Sequence, residues 1–137
     1  MSRILAIDLG TKRTGIAVTD TLKMLANPLE TVETSKLVDF LNAYFAREAV
    51  DTIVLGYPKK LDGTPNEMTP RVLSLQNRLK KIYPDKKLVL IDERYTSKMA
   101  MQSMIAMGSK KKDRKEKAGN LDKVSAAIIL QSYLEQI

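Results

Sequence analysis

The 137-residue sequence contains no cysteine and no histidine. Without cysteine the chain has no disulfide framework and no zinc site of the cysteine type, and a reducing, cytoplasmic setting is expected. The same absences exclude Ser-His and Cys-His nucleophile systems, because the thiol and the usual general base are both missing. Any catalysis must therefore use carboxylates, lysines, hydroxyl groups or a bound metal ion.

Long apolar stretches are absent as well. No run approaches the roughly 20 residues that are needed to cross a bilayer, so no membrane partner is expected. The N-terminus passes from one basic residue directly into an apolar segment, which is not the pattern of a signal peptide. Hydrophobic residues make up 44% of the chain and charged residues 28%, as in an ordinary soluble globular protein. The length predicts a single domain over residues 1–137.

Positive charge exceeds negative charge. The formal net charge is +7, and the sequence pI is near 9.6. This excess favours polyanionic partners, of which nucleic acid is the most common. Several basic residues form one run, which would follow a phosphate backbone or form a solvated loop: Lys110, Lys111, Lys112, Arg114, Lys115 and Lys117. Both interpretations of this run stay open.

The pattern of apolar and turn residues predicts five strands and four helices. The predicted strands are residues 3–8, 14–19, 27–33, 52–56 and 88–91. The predicted helices are residues 35–48, 69–83, about 96–107 and from 121 onward, with Ser35, Thr69 and Asn120 as N-caps of three of them. A three-stranded meander followed by alternating helices and strands predicts a mixed five-stranded sheet with helices on both faces. This pattern fits an RNase H-like α/β fold, with the first strand central and the fourth strand beside it.

Three acidic residues are predicted to reach one edge of this sheet. Asp8 ends the first strand, Glu93 follows the last strand, and Asp122 lies in the first turn of the last helix. In open α/β sheets, ligands bind outside the carboxyl ends of the strands. Carboxylates that meet there repel one another unless a cation joins them. Oxygen-only ligands indicate Mg²⁺ or Mn²⁺.

Each acid also has a purely structural interpretation. Asp8 could cap the glycine turn that follows it, and Glu93 could be a solvated loop residue. Asp122 could stabilise a helix N-terminus through the helix dipole. The placement of all three residues at the ends of core elements favours the metal site over these separate explanations.

Basic residues accompany the acids. Lys12 and Arg13 lie in the turn after the first strand, Lys59 lies in the loop after the fourth, and Arg94 follows the fifth. Lysine and arginine bind phosphates without reading the base sequence. These residues, together with Lys110, Lys111 and Lys112, are the candidate substrate-binding residues.

The first turn matches a motif that two known families share, D-x-G-T-x-x-x-G. Its members here are Asp8, Gly10, Thr11 and Gly15. In actin-like ATPases and sugar kinases, a hairpin of this kind holds nucleotide phosphates. Those proteins close a second such domain over the nucleotide, and 137 residues leave no room for one.

The sequence resembles the YqgF family more closely. Four segments carry the resemblance, in order and over nearly the whole chain: AIDLGTKRTGIAVTD, IVLGYPKKLDGTPNE, IDERYTS and NLDKVSAAIILQSYL. The resemblance implies an RNase H-like nuclease in which Asp8, Glu93 and Asp122 carry metal-assisted hydrolysis of phosphodiester bonds. It also implies a role in maturing the 5′ end of pre-16S rRNA, with small-subunit ribosomal particles as partners.

Three other functions stay open at this point. A Holliday junction resolvase acting on branched DNA would need a dimer to make paired cuts. A nucleic-acid-binding factor would keep the basic surface without turnover. A nucleotide-hydrolysing switch would use the glycine turn to bind ATP.

Overall fold

The computed structural model describes residues 2–58, 64–92 and 114–136, with the side chains of the last range described from residue 122 onward. The strands are β1 Arg3–Asp8, β2 Arg13–Thr19, β3 Ala26–Glu33, β4 Val50–Tyr57 and β5 Lys87–Asp92. The α-helices in these ranges are α1 Leu37–Arg47, α2 Thr69–Ile82 and α3 Arg114–Gln136. One 3₁₀ turn, Thr34–Lys36, precedes α1.

The five strands form one mixed sheet in the order β3-β2-β1-β4-β5. β1 pairs antiparallel with β2 and parallel with β4. β1 and β4 read as continuous apolar runs because both of their faces are covered, and Leu5, Ala6 and Ile53 are fully buried. The predicted RNase H-like arrangement, with β1 central and β4 beside it, is confirmed.

Helices cover both faces of the sheet, because successive side chains of a strand point to opposite sides. On one face, α1 and α2 pack against a core that includes Leu5 and Ile7. On the other face, α3 packs against the alternate residues Ile4 and Ala6. The predicted placement of helices on both faces is therefore confirmed.

Two predicted N-caps are wrong. Ser35 lies in the 3₁₀ turn, and α1 begins at Leu37 without a side-chain cap. Thr69 is the first residue of α2, and its hydroxyl donates instead to the carbonyl of Pro58 at 2.6 Å. Asn66 takes the capping role, because its side-chain oxygen accepts from the Thr69 amide at 3.0 Å and from the preceding amide at 2.8 Å.

The last helix begins earlier than the sequence predicts. α3 starts at Arg114, so Asn120 lies inside the helix and does not cap it. Gly119 costs a helix interior roughly 1 kcal/mol relative to alanine, and the packing of α3 on the sheet offsets this cost. Asp122 is consequently in the third turn, where the dipole of the helix N-terminus has little effect. Although α3 has 23 residues, no helix in the described ranges is both long and apolar enough to cross a membrane.

Candidate functional site

The turn between β1 and β2 is shaped by a glycine. Asp8 is the last residue of β1, is half-buried and pairs with Gly15 of β2. A Cβ atom at Gly10 would lie 2.1 Å from the carbonyl oxygen of Arg13, so no side chain fits in this tight turn. The first glycine of the motif therefore has a steric role in bringing Arg13 back toward the strand end.

The second glycine of the motif lets α3 approach the sheet. A Cβ atom at Gly15 would lie only 1.9 Å from the carbonyl oxygen of Asp122, so the backbone of α3 rests directly on β2. Gly15 is also the strand partner of Asp8. The fold therefore brings two of the three predicted acids, Asp8 and Asp122, to the same corner of the sheet.

Asp122 is partly buried and has one described ion-pair partner. Its side chain is 28% exposed, and the Nε of Arg13 donates to its carboxylate at 3.2 Å. Burial raises the pKa of the Asp122 carboxyl, and the charge and hydrogen bond of Arg13 lower it only in part. A carboxylate in this state gains more from an added cation than a solvated one does.

A threonine at the end of β3 fixes the basic turn. The hydroxyl of Thr34 donates to the carbonyl of Gly10 at 2.8 Å, and its amide donates to the carbonyl of Lys12 at 2.9 Å. The hydroxyl of buried Thr14 completes the cluster, 2.8 Å from that of Thr34. The turn that presents Lys12 and Arg13 is thus held at several points.

Thr34 was not among the predicted site residues, because threonine has no chemical signature of its own. A signal was nevertheless present in the topology. β3 is antiparallel to β2, and β2 is antiparallel to β1. The carboxyl ends of β1 and β3 therefore lie at the same edge, and residues that follow β3 reach the site.

A groove of about 850 Å³ lies at this corner. Its lining residues are Gly10, Thr11, Lys12, Arg13, Glu33, Ser35 and Asp122. Lys12 and Arg13 are exposed in it, where they can bind a phosphate beside a carboxylate. The structure thus joins the predicted basic residues of the first turn to a predicted acid that lies more than 100 positions later in the chain.

The remaining predicted site residues lie outside the described ranges: Lys59, Glu93, Arg94, Lys110, Lys111 and Lys112. Asp92, which precedes Glu93, is the half-buried last residue of β5. β5 is separated from β1 by β4 alone, so the ends of β1 and β5 are roughly 10 Å apart. No group of three acids close enough to bind a metal ion occurs among the side chains that the structure describes. The three-acid metal site stays a prediction.

The donor chemistry of the corner nevertheless fits a hard divalent cation. Asp8 and Asp122 offer carboxylate oxygens, the ligands that Mg²⁺ and Mn²⁺ prefer. Mg²⁺ retains several waters and is commonly held by only one or two carboxylates. Both acids are half-buried, which strengthens their interaction with a cation relative to that in bulk water.

Comparison with known proteins identifies the family of the chain. Residues 2–136 match the model of a family described as RuvX, Holliday junction resolvase. A protein of Christiangramia forsetii is 49% identical over 134 residues, covering 98% of both chains. A protein of Phocaeicola vulgatus is 50% identical over 135 residues, covering 98% of this chain and 96% of its own. Both relatives bear the name "Putative pre-16S rRNA nuclease". The chain belongs to the RuvX/YqgF family, as its motifs predicted.

Proposed function

We propose that this protein is a metal-dependent nuclease that hydrolyses phosphodiester bonds at the 5′ end of pre-16S rRNA during ribosome biogenesis. The observation that carries the proposal is the meeting of Asp8 and Asp122 at one corner, beside Lys12 and Arg13. The names of the relatives and the net charge of +7 support it. The reaction belongs in the cytoplasm, and small-subunit ribosomal particles are the expected partners.

The acids form the proposed metal site. Asp8 and Asp122 would hold Mg²⁺ or Mn²⁺, and Glu93, which follows β5 in the sequence, would be the third ligand. When bound, the ion stabilises charge on the attacked phosphate and lowers the pKa of a water molecule. Substitution of any of the three acids should therefore impair cleavage far more than it impairs folding.

The basic residues bind and orient the RNA. Lys12 and Arg13 contact the phosphate at the cleavage position. Arg13 pairs with Asp122 through Nε, which leaves its two terminal nitrogens available for a phosphate. Lys59, Arg94 and Lys110–Lys112 extend the contact along the backbone, where each neutralised phosphate adds salt-dependent affinity.

A cleavage assay with three substrates tests the proposal. Single-stranded RNA, a small-subunit rRNA precursor and a four-way DNA junction are each incubated with Mg²⁺, Mn²⁺ or EDTA. We expect wild type to cut the rRNA precursor only when a divalent metal is present. Asp8→Asn should bind the RNA without cutting it, whereas Asp51→Asn, at the opposite edge of the sheet, should cut normally.

Two results would contradict the proposal. Cleavage by Asp8→Asn at the normal rate would show that the acidic corner is not the site. RNA binding by wild type without any metal-dependent cleavage, also in the presence of small-subunit particles, would indicate a binding factor without turnover.

A Holliday junction resolvase is the second candidate, because the matching family is described by that activity. Paired cuts in a two-fold symmetric junction require a dimer. Preferential cutting of the four-way DNA, together with a dimer by light scattering on that DNA, would favour this function over rRNA processing.

A further inference from the structure

A second cleft lies between α1 and α2, next to the proposed active site. It has a volume of about 420 Å³, within the range of roughly 300–1,000 Å³ that is usual for ligand pockets. We call it the α1–α2 cleft. Its aliphatic residues are buried or half-buried and give it an apolar base: Leu9, Leu37, Val38 and Leu75.

Two arginines stand above this apolar base. Arg71 and Arg78 of α2 both line the cleft, and both are exposed. They are seven residues apart, so two helical turns, or roughly 10.5 Å, separate them along one face of α2. Among the described residues, neither guanidinium forms an ion pair. The charge of the cleft is therefore available to an anionic ligand.

One carboxylate, Asp39, also lines the cleft. Asp39 is in the first turn of α1, where a negative charge stabilises the helix N-terminus, so the fold accounts for its presence. Its charge offsets only one of the two arginines. The Asp39 carboxylate can also accept hydrogen bonds from the amino groups of a nucleobase. A phosphate group has no such donors.

The α1–α2 cleft adjoins the groove at the acidic corner. Gly10 and Ser35 line both. A strand whose phosphate contacts Lys12 and Arg13 can therefore pass over Gly10 and Ser35 and reach the cleft without leaving the surface.

We propose that the α1–α2 cleft binds an unpaired nucleotide of the substrate RNA next to the cleavage position, with Arg71 and Arg78 on the adjacent phosphates. This inference rests on the proposed nuclease function and adds a requirement for single-stranded RNA beside the site. The apolar floor of the cleft suits the flat face of a nucleobase. The planar guanidinium groups of arginines also stack on nucleobases. A base in a duplex is paired and stacked, so its extrusion into the cleft is unfavourable.

Binding measurements in EDTA, which separate affinity from metal-dependent cleavage, test the cleft. Fluorescence anisotropy compares a single-stranded RNA with a blunt duplex of the same sequence. Arg71→Gln/Arg78→Gln should bind the single strand about tenfold more weakly than wild type. The slope of log affinity against log salt should fall by about 1.4, because each phosphate contact on a single strand contributes about 0.7. Affinity for the duplex should change much less.

A matched variant controls for the loss of charge. Lys80→Gln/Lys81→Gln removes the same charge from the same helix, but these two exposed residues do not line the cleft. We expect this variant to bind the single strand nearly as wild type does. An equal loss of affinity in both double variants would overturn the proposal in favour of non-specific attraction.

A thiol probe gives an independent readout of occupancy. Because the chain has no cysteine, Ser74→Cys places a single thiol in the cleft. Asn77→Cys places one at an exposed position of the same helix that does not line the cleft. Saturating single-stranded RNA should slow alkylation of the thiol at position 74 by about tenfold or more and leave the thiol at position 77 unaffected. The duplex should protect neither thiol.

The outcomes distinguish this proposal from the function on which it rests. If wild type cleaves RNA but the arginine variant binds normally and position 74 is not protected, the cleft proposal fails and the nuclease function stands. That result is also expected if the cleft receives an acidic protein segment instead. If position 74 is protected but no metal-dependent cleavage occurs, the nuclease function fails and the cleft remains an RNA site. Absence of RNA binding by wild type would overturn both.

Discussion

Two carboxylates, one at the amino ends and one at the carboxyl ends of the central strands, differ in how many hydrogen bonds they accept. Asp51, at the start of β4, accepts hydrogen bonds from Lys23 at 2.5 Å, from Thr52 at 2.8 Å and from Ser2. Partial burial raises the pKa of Asp51, but these donors outweigh it and lower the pKa to about 2. The ionised form is therefore fully supported by the protein itself.

Asp122, at the carboxyl edge, has only Arg13 as a described partner, and burial raises the pKa of its carboxyl. The protein therefore compensates the charges of the two carboxylates to different extents. Asp51 ties the β2–β3 loop and the N-terminus to the sheet and has little left to offer a ligand. The negative charge of Asp122 is only partly compensated by Arg13, as expected of a residue that binds a metal ion.

The largest expected difference between the two carboxylates is in the effect of their substitution on the cleavage rate. Asp122→Asn should lower the rate by at least about 1,000-fold, since loss of the proposed catalytic metal would remove several kcal/mol of stabilisation and each 1.36 kcal/mol is tenfold. Asp51→Asn should cut at close to the wild-type rate. Single-turnover cleavage of the rRNA precursor measures both variants, and similar losses in the two would remove the distinction between the carboxylates.

The second-largest effect should come from the contact of Gly15 with the backbone of Asp122, and it concerns the stability of the fold. Gly15→Ala places a methyl group against the Asp122 carbonyl, so α3 must move away from the sheet. We expect a loss of about 3 kcal/mol or more in the free energy of unfolding, measured by urea denaturation. The control is Thr11→Ala, an exposed change expected to stay within about 0.5 kcal/mol. A Gly15→Ala protein as stable as wild type would show that α3 does not rest on β2.

A more modest loss is expected from loosening the turn that carries Arg13. Thr34→Val removes the hydroxyl and leaves the Gly10 carbonyl and the Thr14 hydroxyl without this partner. The cost should be about 1–3 kcal/mol in the free energy of unfolding, with weaker binding of single-stranded RNA. Thr34→Ser keeps the hydroxyl and should restore RNA affinity. If valine and serine behave alike in urea denaturation and RNA binding, the threonine cluster does not position the turn.

The smallest expected effect is the stabilisation of the fold by the Lys23–Asp51 ion pair, which depends on pH. The pKa of Asp51 is about 2 in the folded protein and about 3.9 in an unfolded chain. Its stabilisation is therefore complete above about pH 4 and is lost as the pH falls toward 2. Because both side chains of the Lys23–Asp51 pair are more than one third exposed, Lys23→Ala should cost less than about 1 kcal/mol at pH 7.

Urea denaturation at pH 7 and near pH 2 checks this prediction. The difference between Lys23→Ala and wild type should nearly vanish at the lower pH. Lys80→Ala, which has no carboxylate partner among the described residues, should show no such pH dependence. A difference for Lys23→Ala that is unchanged at low pH would assign its effect to the loop and not to Asp51.

Much of the fold could be predicted because its signals are local. The continuous apolar runs of β1 and β4 mark strands with two covered faces, and Gly10 marks the turn between β1 and β2. The N-caps were less predictable, because capping depends on which neighbouring side chain reaches the free amides. Asn66 outcompetes Thr69 at the start of α2, and packing on the sheet extends α3 back to Arg114.

The site could be predicted only in part. The meeting of Asp8 and Asp122 could be predicted because each lies in a core element that leads to the carboxyl ends of the strands. The ion pair of Arg13 with Asp122 joins residues 109 positions apart, which no local pattern reveals. The cleft with Arg71 and Arg78 exists only because α1 and α2 pack side by side.

Titration calorimetry with Mn²⁺ is the most direct test of the proposed metal site. It shows whether divalent metal binds at the corner formed by Asp8 and Asp122 and whether binding depends on Asp51. Wild type, Asp122→Asn and Asp51→Asn are compared at pH 7 without nucleic acid. We predict Mn²⁺ binding by wild type and Asp51→Asn, and its loss in Asp122→Asn. Equal Mn²⁺ binding by wild type and Asp122→Asn, or its loss in Asp51→Asn, would refute the assignment of the metal site to this corner.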